Sequence, residues 1–158
     1  MNIFPENITA QEKEVMYNMP IYVTILIAGA DGNVDSAEIR KAVQLSELKS
    51  TLARPELVEY YTWASINFED RLAQMLLAVP EDVKERTDLL INELTKLNSI
   101  LPRMDQRFSI ELYNSAKDFA KKIAKASGGV LGYMSIGFEE SQLIGLEMIH
   151  DPETRSNG

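Results

Sequence analysis

The side chains best placed to do chemistry lie in one short stretch, Asp31-Gly32-Asn33-Val34-Asp35-Ser36-Ala37-Glu38. Calcium takes roughly six to eight oxygen ligands, mostly from carboxylates and carbonyls. Against the second half of a helix–loop–helix calcium loop, Asp31 supplies a single oxygen and Gly32 the sharp turn. Asn33 offers its backbone carbonyl, Val34 is the apolar anchor, Asp35 binds directly or through water, and Glu38 is bidentate. The two earlier ligand positions of such a loop fall on Ile27 and Gly29, so this is half a loop. It supplies about five oxygens, and the rest must come from water or another segment, for which Glu139 and Glu140 are the candidates. Affinity for a calcium-type divalent ion would be weak, on the order of 10⁻⁴–10⁻³ M. A second reading needs no ion: Asp31 stabilises a turn, Gly32 takes a positive φ, and Asp35 and Glu38 cap a helix. Both readings stay open.

Other reactive groups are scarce. There is no cysteine, which removes disulfides, thiolate metal sites and a cysteine nucleophile. Glu147-Met148-Ile149-His150 has the Glu-x-x-His spacing of di-iron bundles, but such a site needs two copies and His150 is the only histidine. His150 reads instead as a helix-end histidine near a C-terminal dipole, which also argues against a Ser-His-Asp triad. Neither a P-loop nor Gly-x-Gly-x-x-Gly is present. Gly128-Gly129-x-x-Gly132 follows a helical pattern and not a strand, and Gly132-Tyr133-Met134 reads as a partly apolar loop suited to a partner. The sequence therefore points to binding and not to an enzyme. The net charge of −8 opposes nucleic acid and anionic membranes. The densest basic cluster, Lys117, Lys121, Lys122 and Lys125, has the spacing of one solvated helix face.

The elements that must position these groups are helical, because apolar residues recur at helical spacing and sustained strand-type alternation is missing. Thr9-Ala10-Gln11-Glu12 is a capping box that starts a helix near Ala10, and Pro20 must kink or split it. Its apolar run from Met19 to Ala30 spans about a dozen residues, short of the ~20 that cross a membrane. Asp35 and Glu38 open a second helix, and Arg54-Pro55-Glu56 a third, which carries Tyr60, Tyr61 and Trp63. These three cannot all face one way, so core packing or an aromatic contact patch is expected. Asn67 caps a helix from Phe68 to Ala78, and Pro80-Glu81-Asp82 opens one that Pro102 ends. Two more are expected from Met104 to Ala126 and from Ile136 to Ile149. The expectation is an all-α, single-domain bundle of about seven helices over residues 1–150, with a polar, frayed C-terminal tail over 151–158. The N-terminus lacks the basic start of a signal peptide, which with the missing cysteines suggests the cytoplasm.

Ile27-Ala28-Gly29-Ala30-Asp31-Gly32 is echoed by Ile123-Ala124-Lys125-Ala126-Ser127-Gly128. Each copy ends an apolar helix, turns at glycine and leads toward an acidic helix start. The two could form pseudo-symmetric helix–turn–helix units. The pattern Ala30-Asp31-Gly32-Asn33-Val34-Asp35-Ser36-Ala37-Glu38 resembles the Ala-Asp-Gly turn of the tellurite-resistance TerB family. The resemblance covers roughly Met19 to Ile149 in layout, with its specific residues concentrated in Ile27 to Ile39. It implies an all-helical domain with internal pseudosymmetry and a role in tellurite or general stress resistance in bacteria. It further implies divalent-metal binding through Asp31, Asp35 and Glu38, and a protein partner that is membrane-associated, holding the chain at the inner face of the membrane. Ser127 stands where the second turn would carry Asp, which argues against a second metal site. The alternative is a metal-independent helical scaffold for a membrane-associated or cytoplasmic partner.

Overall fold

The computed structural model describes residues 3–30, 39–45, 54–126 and 143–157. Among these the protein is all-helical, with no strand. The first helix, α1 (Ala10–Ala28), starts as its sequence dictates: the Thr9 side chain accepts from the Glu12 backbone N–H at 3.1 Å, and the Glu12 carboxylate accepts from the Thr9 N–H at 2.9 Å. Every residue from Met19 to Ala28 is buried. A helix apolar on all sides has to be surrounded, and α1 is packed against α3 (Pro55–Ala64), α4 (Phe68–Ala78), α5 (Val83–Thr95), the short α6 (Leu97–Ile100) and α7 (Gln106–Ala126). A further helical stretch, α2, occupies 39–45.

The remaining helices are amphipathic and lay one face on this axis. Asp82 caps α5, its carboxylate accepting from the Glu85 N–H at 3.0 Å, and Leu90 and Leu94 are fully buried. Asp105 starts α7 in the same way, accepting from the Phe108 N–H at 3.0 Å. One face of α7 buries Phe108, Leu112, Ala116, Phe119, Ala120 and Ile123. No helix among the described residues is long and apolar enough to cross a membrane.

Several expectations change. Pro20 does not split α1, which runs continuously through it. The helix opened at Asp82 ends at Thr95, and the chain reaches Pro102 through α6 and a 3-10 turn at Leu101–Arg103. Asn67 stands at the start of α4 but is left-handed (φ 50°) and its side chain makes no capping hydrogen bond. Helix does not continue through 144–149, which are turns around Leu146, itself at φ 47° with a fully buried side chain. Pro152–Asn157 forms a 3-10 helix in contact with α7 and with the Leu101–Arg103 turn. The turn and helix start of the second symmetric unit lie outside the described residues.

Candidate functional site

Asp31, Asn33, Asp35 and Glu38, with the additional candidates Glu139 and Glu140, all lie outside the described residues. What is on view is the frame around the acidic turn. On one side α1 ends at Ala28, and Gly29 closes it by donating to the Ile25 carbonyl at 2.9 Å. On the other side α2 occupies 39–45, with Ile39 half-buried and Ala42 and Leu45 buried.

The end of α1 is held by Arg86. Its guanidinium donates to the Gly29 carbonyl at 2.8 Å and to the Glu81 carbonyl at 3.2 Å, and the residue is only 6% exposed. A buried cation here is supported by the negative end of the α1 dipole. The fit is close: a Cβ on Gly29 would sit 2.8 Å from the guanidinium and 2.9 Å from the Ile25 carbonyl. Sequence reading missed Arg86, although a signal was there: it occupies the same i, i+4, i+8 stripe of α5 as the buried Leu90 and Leu94.

This frame bears on a metal ion. Asp31, Asp35 and Glu38 are of the residue types that suit a hard cation, and Arg86 already occupies the carbonyl of Gly29, two residues before Asp31. Arg40 and Lys41 follow Glu38 in sequence. Among the described residues no group of three or more His, Asp or Glu side chains converges to complete a site.

The aromatic residues of α3 lie in and against the core. Tyr60 and Tyr61 are buried, and Trp63 is half-buried between Phe4 and Tyr17 at ring-centre distances of 5.3 and 4.8 Å. Burial pushes both tyrosine hydroxyls above their ordinary range, although for Tyr61 the hydrogen bond with Ser115 offsets part of the rise. Glu147 and His150 share no helix face, because the chain turns between them; His150 is exposed, and its backbone N–H donates to Asn98 at 2.7 Å. The lysines of α7 are divided. Lys117 and Lys121 border a cleft with Ile144 and Gly145, and Lys117 sits 4.4 Å over the Tyr113 ring. Lys122 and Lys125 turn toward α2.

No family model, no curated protein and no solved structure matches the chain.

Proposed function

We propose that this protein is a non-catalytic binding module of the TerB-like kind, serving tellurite or related stress resistance through weak divalent-cation binding and a protein partner. What supports the reading is the sequence between α1 and α2, where Asp31, Asp35 and Glu38 stand close together, and the Arg86 guanidinium that pins the α1 end at Gly29. A turn anchored at its entrance loses less conformational freedom when an ion is bound. The partner is membrane-associated by the same resemblance, and the chain would reach the inner face of the membrane through it.

The experiment is a calcium titration of the full chain, following both melting temperature and the backbone amides of Asp31 to Glu38. The expected outcome is a saturable change with a midpoint on the order of 10⁻⁴–10⁻³ M, lost in Asp31→Asn/Glu38→Gln. Unchanged melting and unmoved amides in millimolar Ca²⁺, Mg²⁺ and Zn²⁺ would remove the metal from the function. A metal-independent scaffold is the second reading. It is favoured by Leu77, an apolar side chain 89% exposed on α4, and by the groove between α1, α4 and α5 lined by Val15, Tyr22, Met75, Val79 and Leu89.

A further inference from the structure

Among the described residues, basic side chains of α2 and of the end of α7 come together at one cleft. Arg40, Lys41 and Gln44 fall at i, i+1 and i+4 on α2, and so share a helix face. Lys122, Lys125 and Ala126 fall at i, i+3 and i+4 and share a face at the end of α7. The two faces line one cleft of about 630 Å³. Its described lining holds four cations, one amide and no carboxylate, in a chain whose formal charge is −8. Lys122 pairs with Asp118 on its own helix at 3.0 Å. Among the described residues no carboxylate lies within ion-pair distance of Arg40, Lys41 or Lys125.

Four like charges around one concavity repel each other. Their fields add within the concavity, and because the cleft is open to solvent the sum is sensitive to salt. Lys122 has its pair with Asp118, and Lys125 has a structural role too, since a cation in the last turn of α7 complements the helix dipole. That role does not extend to Arg40 and Lys41, which belong to another helix. The volume lies within the range of small-molecule sites and exceeds what a single bare ion needs. The planar guanidinium of Arg40 can grip two oxygens of one phosphoryl group, while the lysine ammonium groups act as point charges on others.

We propose that the cleft between α2 and the end of α7 binds a soluble polyphosphate anion, with Arg40 and Lys125 on opposite walls as its main holds. The inference does not depend on whether Asp31, Asp35 and Glu38 take a metal.

The test is calorimetric titration of the full chain with inorganic tripolyphosphate in the presence of a chelator, so that no metal bridges the ligand to the acidic turn. Saturable one-to-one binding is expected, weakening as salt is raised. Arg40→Gln/Lys125→Gln should weaken it at least ten-fold, while Lys13→Gln/Lys84→Gln, which removes the same charge elsewhere, should leave it within two-fold. If the first pair does not fold, Lys41→Gln/Lys122→Gln carries the same expectation. Absence of binding in low salt, or an equal loss in the control pair, would overturn the proposal. So would capture by phosphatidylglycerol vesicles without binding of tripolyphosphate, which would make the cleft a lipid-facing surface.

Discussion

Pro20 shows how one residue in α1 is accommodated by others far along the chain. It has no N–H, so the carbonyl four residues earlier, that of Met16, loses its intrahelical donor. The Tyr60 hydroxyl replaces it, donating to Met16 at 2.7 Å in the buried interior. The next carbonyl, that of Tyr17, accepts from the Arg71 guanidinium at 2.7 Å; Arg71 also donates to the carbonyls of Ala64 and Ile66 and to the Asn18 side chain. Its charge lies 3.5 Å over the Tyr17 ring. On this account Tyr60→Phe leaves a buried carbonyl without a donor and costs about 1–3 kcal/mol. In a Pro20→Ala background residue 20 regains its N–H, and the same substitution should cost about 1 kcal/mol less. Urea denaturation of the four proteins measures this coupling; equal costs in both backgrounds would show that the Tyr60 hydroxyl does not answer for Pro20.

Among the elements, the corner between α3 and α4 depends on a backbone conformation more than on a side-chain cap. Asn67 turns the chain at φ 50°, a region that Asn and Gly enter with little strain and that costs other residues roughly 1–2 kcal/mol. Arg71 then fastens the corner to α1, donating to the Ala64 and Ile66 carbonyls of the corner and to the Tyr17 carbonyl and Asn18 side chain of α1, and the Tyr17 hydroxyl donates to the Ile66 carbonyl at 3.2 Å. Since the Asn67 side chain makes no capping bond, Asn67→Gly should be close to neutral, whereas Asn67→Ala should destabilise by about 1 kcal/mol. Thermal melts of the two variants separate the cases. If Gly and Ala were equally damaging, the side chain and not the backbone would be what matters there.

At the scale of the molecule, the buried tyrosines couple stability to alkaline pH. Burial raises the hydroxyls of Tyr60 and Tyr61 above the ordinary value of 10.0, and that of Tyr22 is raised by burial together with Glu93 and Glu14. Below that value the folded and unfolded chains both keep these groups protonated, and stability is unaffected. Above it the unfolded chain ionises while the fold does not, so stability falls as pH rises toward the folded-state values. Each fully buried tyrosine contributes up to about 1.4 kcal/mol per pH unit. Urea midpoints measured between pH 8 and pH 11.5 should therefore be level up to about pH 10 and then decline. Tyr61→Phe should make the decline shallower; an unchanged slope would mean that its hydroxyl ionises freely in the folded state.

Local signals in the sequence were enough for much of the architecture. Thr9 and Glu12 start α1, the apolar spacing from Phe108 to Ile123 defines the buried face of α7, and Pro55 opens α3 where expected. These features depend on backbone preference and on burial of one helix face, both of which are written within a few residues. Tertiary structure decided the rest. The Met16 carbonyl that Pro20 leaves without a helical donor is met by Tyr60, 44 residues beyond Met16 in sequence. Arg86 is buried because the end of α1 receives it across a separation of 57 residues. The lysines that look like one exposed face of α7 are divided between two clefts because different segments pack beside them. Periodicity determines that a face is covered, but the partner covering it, and the hydrogen bonds left to be satisfied there, are set only when distant helices meet.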